Sequence, residues 1–242
     1  MTSLDDQRVV VVGGTSGMGL STVHAAAALG AEVISAGRRP LDQRAPLAGV
    51  HAAVVDITSE SSMQALFEGA GELDHLLVTA SAGSPGAFLE QDLAQARSFM
   101  DGKFFGSWTA ARYAAPYLRD GGSITFITGA AVVRPPKHGS MIAAAFAAIE
   151  ALTPALAVEL GPRRVNTIRP GYTDSDMWSF LAPADRDDLR RRVAQAMPVR
   201  RMGTPDDIAQ AAVFLMTNPQ VTGAVLEVSG GESLVNPVED AS

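Results

Sequence analysis

The sequence predicts one α/β domain spanning residues 1–242, a doubly wound parallel sheet of about seven strands with helices on both faces. Three observations predict it. Short aliphatic and β-branched runs alternate with helical patterns along the whole chain. The strand candidates are near-continuous Val, Ile and Leu, as expected of a sheet covered on both faces. The first of them runs directly into a glycine-rich turn and then a helix. Length fits this class, and 47% hydrophobic against 19% charged residues is enough for one sizeable core.

Each element has its own signal. Arg8–Val12 reads as a buried strand, and Gly17–Leu29 as a helix closed by Gly30. Strands follow at Glu32–Ala36 and Val50–Val55. Ser59–Phe67 is a helix with Ser59 as N-cap. His75–Thr79 and Ser123–Thr128 are strands on either side of one long helix, Leu93–Leu118. Ser140–Leu160 is a second long helix, ended by Gly161-Pro162, with a strand at Val165–Ile168. Pro205–Met216 has Thr204 as N-cap and Pro at its first position, and Ala224–Val228 is the last strand. Residues 171–200 form a substrate loop and lid, in which Asp185–Arg192 reads as the solvated face of a helix.

Composition narrows the function classes. There is no cysteine, which excludes a disulfide scaffold, a Cys nucleophile and thiolate metal sites. His24, His51 and His75 fall in unrelated elements, so no metal site is expected. A net charge of −7 argues against nucleic acid or an anionic membrane as partner. Apolar runs read as short or interrupted, so no membrane span is expected. The N-terminus lacks the pattern of a leader, and a cytoplasmic location is the expectation. Seventeen of the nineteen basic residues are Arg; Lys103 and Lys137 are the two lysines, and Tyr113, Tyr117 and Tyr172 the three tyrosines.

The turn after the first strand reads Gly13-Gly14-Thr15-Ser16-Gly17-Met18-Gly19. Strand, glycine turn and helix N-terminus together make a phosphate cradle of Rossmann type. Gly13 permits the tight turn, Gly17 a close backbone approach to pyrophosphate, and Gly19 close packing of helix on strand. Thr15 and Ser16 add hydroxyl donors, and Met18 completes the loop. An NAD site usually carries an acid at the tip of the second strand. Here the tip is Gly37-Arg38-Arg39, and Glu32 comes too early. Two guanidiniums suit a 2′-phosphate, which favours NADP(H) over NAD(H). The alternative for each arginine is a solvated surface charge.

The G-x-x-x-G-x-G spacing resembles that of the short-chain dehydrogenase/reductase family, and the likeness extends over nearly the whole chain. Asp56-Ile57 matches the family's adenine-side position, and Arg164-Val-Asn-Thr-Ile-Arg-Pro170-Gly171 its turn beside the nicotinamide. Thr173 and Ser175 fall where the family contacts the nicotinamide amide. Gly203-Thr-Pro-Asp-Asp-Ile208 and Gly230-Gly231 match its C-terminal elements. Val78-Thr79-Ala80-Ser81 stands where the family has Asn-Asn-Ala-Gly, placing Ala80 and Ser81 at the cofactor.

The resemblance implies a Tyr-x-x-x-Lys pair, a Ser and an Asn in catalysis. No tyrosine here is followed four residues later by a lysine. Aligning Phe146-Ala-Ala-Ile-Glu-Ala-Leu152 with the family's segment puts Ile142 at the Tyr position and Phe146 at the Lys position. Gly129 takes the Ser position and Lys103 the Asn position. Substitute groups are Lys103, Thr128, His138 and Tyr172, with Ser140 on the segment entering the altered helix. Each also has an ordinary reading: Lys103 paired with Asp101, Thr128 finishing a strand, His138 on an exposed loop, Tyr172 packed in the substrate loop.

The expected activity is hydride transfer, with NADP(H), to or from a small hydrophobic carbonyl, quinone, imine or conjugated substrate. The last three need less help from an acid. A non-catalytic NADP(H)-binding sensor or assembly partner is the alternative, and a non-redox dehydratase or cyclase the third reading. The long helices Leu93–Leu118 and Ser140–Leu160 pair across a dimer axis in relatives, which implies a homodimer or homotetramer.

Overall fold

The computed structural model describes residues 3–39, 47–82 and 86–235. Seven parallel strands form one sheet in the order β3-β2-β1-β4-β5-β6-β7. They are β1 (Arg8–Val12), β2 (Glu32–Gly37), β3 (Val50–Val54), β4 (Leu73–Val78), β5 (Leu118–Ile127), β6 (Arg164–Pro170) and β7 (Val225–Val228). The chain builds outward from β1 to β3, then crosses back to place β4 on the other side of β1. The crevice at this reversal, beyond the C-terminal ends of β1 and β4, is where such sheets hold ligands.

Helices cover both faces. On one lie α2 (Glu60–Ala70), α4 (Gly106–Ala114) and α5 (Ser140–Glu159), burying Phe67, Ala110 and Ile149 against Leu76, Ile124 and Phe126. On the other lie α1 (Gly17–Ala28) and α7 (Pro205–Thr217), burying Val23, Ala212 and Leu215 against Val9, Val11 and Leu77. The expected caps are present: Ser59 accepts the Ser62 N–H at 3.3 Å, and Thr204 forms a reciprocal box with Asp207. The expected strands and helices appear within a few residues of their predicted bounds, with three substantive departures.

The first departure is at the long helix. It breaks into α3 (Leu93–Met100), a π-helical turn at Asp101–Phe105, α4 and a short 3₁₀ turn at Ala115–Tyr117. Leu118 belongs to β5, pairing with Leu73, so that strand begins five residues early. Two glycines press the helix against the loops that follow β4 and β3. A Cβ on Gly102 would lie 2.5 Å from the Ala82 carbonyl oxygen, and one on Gly106 would lie 2.6 Å from the Ile57 side chain.

The second departure is α5. It is long and apolar enough, by length and composition alone, to cross a membrane, although Glu150 and Pro154 interrupt its apolar run. It lies along the sheet beside β6, with Ala145, Ile149 and Thr153 buried and most of its surface uncovered. The third is the segment expected as a lid. Its helix α6 runs Pro183–Ala196 over a separate cluster of Leu189, Val193, Met197 and Met202, against which Tyr172 and Trp178 pack.

Candidate active site

The turn after β1 is held from two sides. Gly13 and Gly14 donate to the Ala36 carbonyl at 2.7 and 3.1 Å, and the Thr79 hydroxyl donates to the Gly13 carbonyl at 3.1 Å. Gly13 sits at φ +97 and Gly17 at φ +49, in the left-handed region that favours glycine. A Cβ on Gly13 would strike Thr79 and Ala80. One on Gly17 would stand in open space, with only the Ser175 Cβ near, at 3.9 Å. The first intrahelical bond recorded at the start of α1 is Leu20 N–H to Ser16 O, 3.1 Å. Ser16 makes no side-chain cap and the first turn holds no acid, so the amides from Gly17 to Gly19 are left for an anion.

Around this cradle is a cavity of about 260 Å³. Its wall contains Gly13, Thr15, Ser16, Gly17, Met18 and Gly19, with Arg38 at the tip of β2, Ile57, and Ala80 and Ser81 beyond β4. Ser175 and Met177 reach it from the lid side. These features fit a nicotinamide dinucleotide: free amides for pyrophosphate, open space that a Cβ at residue 17 would enter, and the Arg38 guanidinium in the wall.

Some expected contributors lie elsewhere. Arg39 is exposed and is not in the cavity wall. The Asp56 carboxylate turns to its own chain, accepting the Thr58 N–H at 2.9 Å and the Thr58 hydroxyl at 2.7 Å. Those bonds, aided by the charge of Arg38, hold it below the usual carboxylate range. Pro170 and Gly171 pack at the end of β6, and the buried Thr173 hydroxyl bonds the Gly171 carbonyl at 3.1 Å. None of the three lines the cavity.

The substitute acids separate clearly. Thr128 is buried and tied to Glu150, 2.9 Å away. Glu150 is in turn locked to Arg169 at 2.5 Å. His138 and Ser140 are exposed. Tyr172 stacks on Trp178 at 6.0 Å and 20°, and lines a different cavity of about 430 Å³ with Arg201, Asp207 and Ser229. It is therefore not brought to the cradle.

Lys103 is different. It lies on the π-helical turn, 3% exposed, with its ammonium 5.4 Å from the centre of the Phe146 ring. The pairing with Asp101 is not present among the ion pairs of the described residues. Burial pushes its pKa down to about 8. Phe146 in turn fills the space over Gly129: a Cβ on Gly129 would lie 2.8 Å from Phe146 Cε2. Gly129 has φ 176, an extended conformation open to any residue. Its bareness is thus set by the phenylalanine. Three of the four positions where the family's groups were expected form one contact unit beyond β4 and β5. Sequence reasoning named these residues singly and had no signal for their contact.

The lid also departs from expectation. Arg186 donates to Asp174 at 2.7 Å and Arg190 to its other oxygen at 2.7 Å. Burial raises the Asp174 carboxyl, but the hydrogen bonds from Arg190 and Arg186 outweigh it and hold it below the ordinary value. The arginine face of α6 is a clamp on the loop that carries Asp174. Among the described residues no group of His, Asp and Glu is placed to hold a metal.

Comparison with known proteins is consistent with this geometry. A family model described as enoyl-(acyl carrier protein) reductase matches residues 12–233. The chain is 32% identical to L-fucose dehydrogenase of Mus musculus, over 97% of this chain and 91% of that protein. It is 31% identical to 7alpha-hydroxysteroid dehydrogenase of Escherichia coli K12, over 94% of each. A crystal structure of a small-chain dehydrogenase in complex with NADPH superposes with a TM-score of 0.82 at 36% identity, covering 95% of this chain and 100% of that one.

Proposed function

The chain belongs to the short-chain dehydrogenase/reductase family, and within it we propose an NADP(H)-dependent oxidoreductase that works without the family's Tyr/Lys acid. Its substrate is a small hydrophobic carbonyl, quinone, imine or conjugated compound. The observation that carries the reading is the pairing of a complete cradle with Gly129, Ile142 and Phe146 at the positions of the family's acid machinery. The bound dinucleotide supplies or accepts hydride there.

The chain's own residues do the rest. Amides at Gly17 to Gly19 hold the pyrophosphate, and Arg38 meets the 2′-phosphate. Ile142 and Phe146 put apolar side chains at the positions matched to the family's Tyr and Lys, which favours a hydrophobic substrate. Loss of a general acid usually costs about 10²–10⁴ in rate, a loss that hydride transfer to an electron-poor carbon tolerates best. The uncovered apolar surface of α5 supports a homodimer or homotetramer.

The test is titration with NADPH and NADH side by side, followed by turnover of NADPH with a panel of quinones, imines, enones and ketones. Selective NADPH binding with turnover of panel members is expected. Absence of turnover above background throughout the panel overturns the reading. It would favour a dinucleotide-binding protein without redox activity, a second reading that rests on Phe146 occupying the space over Gly129.

A further inference from the structure

We propose that Lys103 is the proton donor of this site, delivering a proton to the carbonyl oxygen of an aldehyde or ketone substrate from the π-helical turn. The proposal rests on the hydride-transfer reading above and identifies the acid that reading leaves unassigned.

A lysine withdrawn from water is costly unless paired or used. Lys103 is 3% exposed, and no hydrogen bond or ion pair to its ammonium is present among the described residues. What holds it is the face of Phe146, within the distance of a cation–π contact. The π-helical turn that carries it is a local widening of the kind often found at functional sites. Its neighbour Gly102 presses on Ala82, one residue beyond Ser81 in the wall of the cofactor cavity. The turn that carries Lys103 therefore lies at the same end of the sheet as the cradle.

The other candidates are committed or remote: Thr128 to Glu150, Tyr172 to the lid cluster, His138 to the surface. No neighbouring charge competes for the lysine. On its own turn, Asp101 is exposed and makes no ion pair with it. From α5, Glu150 is bound to Arg169. From the loop before α5, Lys137 and His138 are exposed. From the loop after β4, residues Thr79 to Ala82 carry no charge.

The step balances. Hydride from the dihydronicotinamide forms a C–H bond at the carbonyl carbon, and the C=O π pair moves to oxygen. An N–H bond of Lys103 breaks as the O–H bond forms, and the nitrogen keeps the electron pair as a neutral amine. Water returns the proton. The carbonyl is reduced to an alcohol, the dinucleotide is oxidised, and one solvent proton is consumed. A donor pKa of about 8 makes the ammonium a ready acid near neutral pH.

With two lysines in the chain, the test is direct. Protein carrying [ε-¹³C]lysine gives two side-chain signals, assigned with Lys137→Arg, and Lys103 is expected to titrate near pH 8. Carbonyl reduction by NADPH is then followed between about pH 6 and about pH 10 in wild type, Lys103→Met and Lys103→Arg. Wild-type kcat/KM is expected to fall about tenfold per pH unit above the lysine's pKa. Lys103→Met is expected to lose about 10²–10⁴-fold and its high-pH limb, while its Kd for NADPH stays that of wild type. Lys103→Arg keeps the charge and lacks the limb. A Lys103→Met enzyme with wild-type rate or an unchanged limb overturns the donor role alone, as does a Lys103 signal with no titration near pH 8. A wild type that binds NADPH and reduces no carbonyl overturns the donor role, and activity on the quinone, imine and enone panel then decides the broader hydride-transfer reading separately.

Discussion

Replacing Gly129 by Ala adds one methyl group and nothing else. At φ 176 the backbone accepts alanine without strain, and alanine restricts the unfolded chain, which by itself stabilises by about 0.4–1 kcal/mol. Against that stands the Phe146 ring, with Cε2 at 2.8 Å and Cδ2 at 3.4 Å from the new carbon. Forcing a methyl into such a space costs about 1–3 kcal/mol in comparable overpacked sites. The overpacking wins, and Gly129→Ala is expected to destabilise. The two effects separate in a double-mutant cycle. With Phe146→Ala as background the ring is gone and only the entropic gain remains, so the same substitution becomes neutral or stabilising. Urea unfolding of the four proteins at one concentration measures the coupling, expected at about 1–3 kcal/mol. Equal cost of Gly129→Ala in both backgrounds would falsify the claim that the phenylalanine holds position 129 bare.

Three further expectations follow from particular groups. Arg38→Glu places a like charge where a 2′-phosphate would lie, so the Kd for NADPH rises tenfold or more by fluorescence titration while that for NADH changes little. His75 is buried between Ser123 and Gln7, at 2.9 and 2.7 Å, and burial lowers its pKa to about 4 from 6.5. The unfolded chain therefore binds the proton first. Stability is full above about pH 6.5 and declines as pH falls through about 4, by up to about 3 kcal/mol. His75→Gln should remove that part of the slope in urea titrations at successive pH values. Val158 stands 84% exposed on α5; light scattering should find a dimer or tetramer in the wild type and a smaller species in Val158→Glu.

Local chemistry is what the sequence makes legible. The β-branched runs, the Ser59 and Thr204 caps and the glycine turn each depend on neighbours a few residues away, and each appears in the structure. The misplaced start of β5 has a simple cause: Leu118-Arg-Asp-Gly-Gly reads as a helix end followed by a turn, whereas pairing with Leu73 draws it into the sheet. The π-helical turn leaves no periodic trace, and Gly102 and Gly106 carry meaning only once Ala82 and Ile57 lie against them. The positions matched to the family's catalytic groups behave in the same way. Counting shows that no tyrosine is followed four residues later by a lysine, but Lys103, Gly129 and Phe146 are far apart in the chain and their contact is a property of the fold. Arg186 and Arg190 likewise look like solvated charges until Asp174 is folded beneath them.

That last contact bears on how firmly the loop is held. Asp174 lies between Thr173 and Ser175, beside the cavity at the glycine turn, and it is the shared counter-ion of two turns of α6. Parting the loop from the helix means withdrawing one carboxylate from two guanidiniums at once. Dissolved ions weaken such a hold, because partly exposed charges are screened within about 10 Å at ordinary salt. The hold of α6 on this loop is thus set by the solution as well as by the protein: dilute buffer is expected to tighten it and added salt to ease it.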